Sequence, residues 1–220
     1  LVYGISIPIL LLYLLFVPYG SKTEAVEEKH KDVKMTGGQW RTALGLAVVA
    51  AAIVLSNVMI TVRIPSVVEQ VGHGTAQTAG VILAAMQFVG ILAGLAFSPL
   101  THLFRDRLLL VSGVAFGVTQ MLIGVSPNLL ILSLVTIASG FAYSVALTTV
   151  YNVLSDKMPA WVLSQATSIA VLGCSTGSIA TTFVLSLLGT ISSAPVFIFG
   201  FSGILMILVS FFGLWIVRKS

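Results

Sequence analysis

Charged side chains are scarce in this sequence. Eleven Lys plus Arg and seven Asp plus Glu make up 8% of its 220 residues, against 57% hydrophobic residues and a mean hydropathy of +1.08. A soluble domain carries about 25% charged residues, because its surface must face water. The shortage excludes an ordinary soluble enzyme and a disordered tail, and leaves an integral membrane protein. Cysteine is nearly missing too. Cys174 alone cannot form an internal disulfide or a cysteine-built zinc site, and it reads as a small packing residue.

Catalytic patterns are also lacking. The sequence has no His-Glu-x-x-His, no Gly-Asp pair and no phosphate loop; Gly173-Cys174-Ser175-Thr176-Gly177 fits Gly-x-Ser-x-Gly by spacing alone and lies inside a charge-free apolar run. Its acidic residues are Glu24, Glu27, Glu28, Asp32, Glu69, Asp106 and Asp156, all in expected loops or at span ends. Carboxylates inside a membrane mark proton relays, and none is expected here. His73 and His102 read as solvated loop residues rather than ligands. No enzyme activity, metal or cofactor is expected.

What the sequence does have is long charge-free runs. Residues 108–155 contain no Asp, Glu, Lys, Arg or His. As one helix they would be about 72 Å long, against a hydrocarbon core of about 30 Å. The segment must turn, and Ser126-Pro127-Asn128 is the natural breaker. Residues 158–217 are charge-free as well, broken at Ser192-Ser193-Ala194-Pro195. Further spans are expected at 1–19, 42–62 and 79–100. The apolar runs do not alternate as barrel strands would. The fold class is therefore all-α, a polytopic membrane helical bundle of about seven transmembrane helices. The chain starts at Leu1 inside an apolar run, with neither a basic leader nor a cleavage site. It reads as cut inside or just before a span.

The charges sort by side. Alternate loops place ten Lys and Arg on one face: five in 20–41, then Arg105, Arg107, Lys157, Arg218 and Lys219. The opposite face holds Arg63 alone, in the expected loop 63–78. This asymmetry assigns 20–41, 101–107, 155–159 and the tail 218–220 to the cytoplasm. Trp40, Trp161 and Trp215 fall near that face, as interfacial anchors do. The net charge of +4 is thus topological. No basic cluster interleaves with aromatic residues, so nucleic acid is not expected as a partner.

Polar residues inside the spans supply the candidate site. At 100° per residue, Ser164, Ser168, Ser175, Ser178, Thr182 and Ser186 fall within an arc of about 80°. They line a water-filled path or bond back to carbonyls one turn earlier. Ala166, Ala170, Gly173, Gly177 and Ala180 occupy the opposite arc, where missing side chains let helices approach. In 79–100, Gln87 shares a face with Gly80, Gly94 and Ser98. This reads as a buried amide joining helices between small residues, or as a substrate contact. Asn57 and Thr61 are four apart on one helix face, turned toward a partner or a cavity. Arg63 either snorkels to the outer headgroups or draws anions to a pore mouth. Tyr143 lies near mid-membrane and needs a hydrogen-bond partner. Gln120 is open to the same two readings as Gln87.

The order of elements resembles the C-terminal half of a major facilitator superfamily (MFS) transporter, preceded by the last span of the N-terminal half. Segment 20–41 is similar to that family's central cytoplasmic loop. Gly74-Thr75-Ala76-Gln77-Thr78-Ala79-Gly80, followed by Gly90 and Gly94 and a tight basic turn, resembles its eighth span and the next loop. The family pattern there is Gly-x-x-x-Asp-Arg-x-Gly-Arg-Arg. This chain reads Ser98-Pro99-Leu100-Thr101-His102-Leu103-Phe104-Arg105-Asp106-Arg107, with Ser98 for the first glycine, His102 for the aspartate and Leu103 for the arginine.

The resemblance implies a six-helix bundle over 42–217 that works by alternating access with a second, missing N-terminal half. It implies a small-molecule substrate, coupled to H+ or Na+, in the plasma membrane. The family's cavity is lined by the first and fourth spans of each half, which selects Asn57, Thr61 and Tyr143, with Ser168 and Ser175 as secondary lining. A proton-coupling acid would lie in the other half. Two other readings stay open: a non-transporting truncated product or membrane scaffold, and the end of a fourteen-span drug exporter.

Overall fold

The structure, a computed structural model, describes residues 35–72 and 74–219, without the side chains of Asp106 and Lys219. The expected span at 1–19, residues 20–34 of the expected loop and His73 lie outside the described residues. Six helices follow in order: α1 Gly37–Gly72, α2 Ala76–Phe104, α3 Leu108–Gly124, α4 Leu129–Lys157, α5 Ala160–Ile191 and α6 Pro195–Lys219. A 3-10 turn, Arg105–Arg107, joins α2 to α3. No strand occurs among the described residues. Five helices are long and apolar enough to cross a membrane, and α3 is a shorter apolar helix of 17 residues.

Local chemistry sets the helix starts. Thr36 and Gln39 form a reciprocal cap on α1: Gln39 N–H donates to Thr36 Oγ1 at 3.5 Å, and Thr36 N–H to Gln39 Oε1 at 2.8 Å. Thr75 and Thr78 do the same for α2. Asn128 caps α4 by accepting from Ile131 N–H at 2.9 Å. Pro195 opens α6, where its missing N–H is no loss.

The expected boundaries shift at both ends of α1 and at the end of α2. Helix α1 begins at Gly37, inside the segment read as loop 20–41. It then runs through Ile64-Pro65 to Gly72, across much of the expected loop 63–78. Proline removes one bond from the ladder. Ile64, Val67 and Val68, all buried, hold the continuation against the bundle. Helix α2 likewise continues past Pro99 to Phe104.

Helix α1 is the central element. Its most apolar stretch is 72% buried, against 17% for those of α2 and α5. Leu46, Ile53, Met59, Ile60 and Ile64 are fully enclosed. It packs chiefly on α5, and also on α6 and α4; α3 packs on α6 and α4, and α2 on α4. Lipid tails are as apolar as leucine, so such contacts rest on close packing rather than on water exclusion. Glycine permits it. Gly173 and Gly177 of α5 sit against the backbone of Ala47 and Ala51 in α1. Gly117 of α3 and Gly203 of α6 face each other's carbonyl oxygens. Two buried polar contacts fix the register. Thr181 Oγ1 donates to the Leu55 carbonyl at 3.3 Å, and Ser202 Oγ donates to Ser56 Oγ at 3.1 Å.

Candidate functional site

Helix α5 presents a divided surface. Its small face, through Ala166, Ala170 and Gly177, is buried. The six residues of the hydroxyl arc, Ser164, Ser168, Ser175, Ser178, Thr182 and Ser186, are all exposed on the bundle. Among them only Ser168 bonds back to a carbonyl, that of Ser164 at 2.9 Å. Beside the hydroxyl strip runs an apolar one. Leu172, Ile179, Phe183 and Leu187 are exposed and, at 100° per residue, lie over the next arc of about 80°. The exposed side of one helix thus changes from hydroxylic to apolar along a line parallel to its axis.

The residues selected on α1 and α4 do not share one environment. Asn57 is 7% exposed, and its Oδ1 has no hydrogen-bond partner among the described residues. Thr61 is exposed, and its hydroxyl donates to the Asn57 backbone carbonyl at 3.2 Å. Tyr143 is half-buried on α4, its ring tilted against Phe116 of α3 at a centroid distance of 5.9 Å. One helix turn pair further along α4, Tyr151 Oη lies 3.6 Å from Cys174 Sγ of α5. Cys174 therefore joins two helices rather than only filling space.

Arg63 is half-buried in the last third of α1, with its Nε buried and without a partner among the described residues. Ser66, Gln70 and Ser193 lie around it with Pro195 and Phe199.

Helix α2 departs from the expectation. Gln87 is exposed, so it does not join helices within this bundle. A Cβ at Gly80 or Gly94 would meet nothing within 4 Å. The close approach of α2 to α4 uses Gly140 instead, set against the backbone of Met86, and Gly90 against Ser144. The polar and small face of α2 is therefore the one turned away from its neighbours.

The basic turn after α2 contains a strained residue. Arg105 has φ +44° and ψ −126°, the only positive φ outside glycine among the described residues. It occupies the place of the second glycine in the family pattern quoted above. Its N–H bonds the Thr101 carbonyl and ends α2. His102, Arg105 and Arg107 are exposed, and Asp106 lies within the 3-10 turn.

Residues that sequence reading left undecided also stand out. Gln120 is fully buried on α3, and neither its Oε1 nor its Nε2 has a partner among the described residues. It follows Gly117 by three positions and precedes Gly124 by four, a spacing that puts all three on the side facing α6. The Ser56–Ser202 pair carried no separate signal in the sequence, since isolated serines are common in membrane helices.

Comparison with known families adds one finding. Residues 35–217 match the MFS family model described as transmembrane secretion effector. Comparisons with curated proteins and with solved structures found no match. The all-α bundle of long apolar helices agrees with that family model, which spans nearly all of the described residues, and the chain therefore belongs to the transmembrane secretion effector family of MFS transporters.

Proposed function

We propose that this bundle is one wall of a secondary transporter that exports a small molecule across the plasma membrane by alternating access. One observation carries the reading: the exposed hydroxyl strip of α5, five of whose six members have no hydrogen-bond partner among the described residues. Hydroxyls left unsatisfied toward lipid are unfavourable, so a wet path or a second polar helix surface must cover them. The exposed Gln87 and Ser98 of α2 support the same idea from a second helix. The covering surface is a second six-span bundle that rocks against this one.

In this reading Ser168, Ser175, Asn57, Thr61 and Tyr143 contact substrate, and Arg63 stands near the outer opening. Hydroxyls, amides and aromatic rings suit a neutral, amphipathic or anionic solute. The coupling ion is H+ or Na+, with any proton-binding carboxylate on the second bundle. The ten-to-one bias of Lys and Arg supports a cytoplasmic placement of Gly37, Lys157 and Lys219. The word secretion in the family's description supports outward movement.

The test is export from cells expressing the complete reading frame. Loaded neutral and anionic dyes should leave faster than from control cells, and a Ser168→Leu, Ser175→Leu double substitution should slow that at unchanged protein level. Equal efflux from double-substituted and unsubstituted protein would remove the hydroxyl strip from the pathway.

A further inference from the structure

A second feature lies away from the hydroxyl strip. A cavity of about 690 Å³ opens where the start of α1 meets the ends of α4 and α6. Its lining is ordered along the helix axis. Thr36, Gly38, Gln39, Arg41 and Lys157 form the mouth, and Leu44, Val48, Phe212 and Ile216 form the deeper walls. From Thr36 to Val48 the helix advances about 18 Å. A polar, cationic mouth above an apolar trough is the shape of an amphiphile, headgroup first.

The charges agree in sign. Arg41 is exposed, and among the described residues no acidic side chain lines the cavity. Lys157 Nζ donates to the Val217 carbonyl at 3.1 Å, which holds the ammonium at the mouth. Among the described residues, two of its three N–H groups are left for another acceptor. The mouth also contains the positive end of α1. The Thr36–Gln39 cap engages Gln39 N–H but not those of Gly37 and Gly38, and a Cβ at either glycine would meet nothing within 4 Å. The apolar walls are open as well: Leu44, Val48, Phe212 and Trp215 are 50, 55, 42 and 52% exposed. A soluble anion would satisfy the mouth and leave this trough bare. A neutral lipid would fill the trough and leave the cations unanswered.

We propose that this groove binds an anionic phospholipid, its phosphate at Arg41, Lys157 and the first turn of α1, and an acyl chain along Leu44, Val48 and Phe212. Basic pockets between helices at a membrane face hold such headgroups. The leaflet that supplies the lipid rests on the orientation proposed above, but the site does not.

The experiment uses the full chain in phosphatidylcholine vesicles, with Trp215 as the sole tryptophan after Trp40→Phe and Trp161→Phe. Brominated phosphatidylglycerol or brominated phosphatidylcholine is added at equal fractions, and quenching of Trp215 is read. Both leaflets carry the same lipid, so a wrong orientation would leave the result unchanged. One nearby cation gives roughly a fivefold preference, so the anionic lipid should quench at a severalfold lower fraction. Arg41→Gln should remove most of that preference, and Arg41→Lys should keep it. Equal quenching by the two lipids overturns the proposal. So does a preference that survives Arg41→Gln, which would assign it to the basic residues of 20–34. Loss of preference in Arg41→Lys as complete as in Arg41→Gln overturns it too.

Discussion

Gly177 of α5 lies against the backbone of Ala51 in α1, so closely that a Cβ on the glycine would stand 2.9 Å from the Ala51 Cα and nearer still to its carbonyl oxygen. The obstacle is main chain and cannot turn aside. Gly177→Ala should therefore force the two helices apart and destabilise the bundle by about 2 kcal/mol, within the range of overpacking. Gly80→Ala provides the contrast, since its Cβ meets open space. It should be neutral, or add up to about 1 kcal/mol through helix propensity. Unfolding of the two variants in detergent measures the difference. Equal losses would mean that α1 and α5 do not cross at Gly177.

Arg105 offers a gain rather than a loss. Its φ of +44° is a conformation that glycine adopts freely and that costs other residues about 1–3 kcal/mol. Arg105→Gly should raise stability by about 1 kcal/mol once the extra freedom of the unfolded glycine is subtracted. Arg105→Ala keeps the strain and should bring no such gain. If alanine and glycine stabilise equally, removal of the positive charge, and not the backbone, is responsible.

The long charge-free runs made the bundle legible, because nothing but a membrane or a core tolerates them. Periodicity separated the two faces of α5, one small and buried, the other hydroxylic and exposed. Proline was less reliable. Pro127 lies in a real break between helices, but α1 and α2 pass through Pro65 and Pro99 where packed neighbours hold them. The face of α2 with Gly80, Gln87 and Gly94 shows why sites are harder to read than spans. Small and polar residues at helical spacing look alike whether they meet a helix of the same bundle or something outside it. Only the three-dimensional arrangement, with Gly140 against Met86, decides between them. The one trace of the φ of Arg105 in the sequence is its place in the family pattern, where glycine stands.

Gln120 should respond to substitution in the direction opposite to most buried residues. Its amide is fully enclosed, with both polar atoms unpartnered among the described residues. A buried unsatisfied group costs about 1–3 kcal/mol, which an apolar residue of similar shape avoids. Gln120→Met should hold or raise the unfolding temperature, while Gln120→Ala should lower it by leaving a void between α3 and α6. A loss of stability in Gln120→Met would show that water or an ion satisfies the amide in solution.

The divided surface of α5 yields the most direct test of what covers it. Cys174→Ala removes the native thiol, and single cysteines then replace Ser168, Ser175 and Ser178 on one strip or Leu172, Phe183 and Leu187 on the other. Thiols react as thiolates, and ionisation is suppressed where water is excluded. A charged, membrane-impermeant maleimide should therefore modify the first set faster than the second by at least about tenfold, the rate following the thiolate fraction. A lipid-soluble maleimide controls for simple burial, because it reaches both sets. Added substrate should slow labelling at Ser168→Cys and Ser175→Cys while leaving Leu187→Cys unchanged. Uniformly slow labelling of both strips by the charged reagent would place the hydroxyls against another helix in a dry contact. The path would then have to run along the other exposed polar helix, α2, past Gln87 and Ser98.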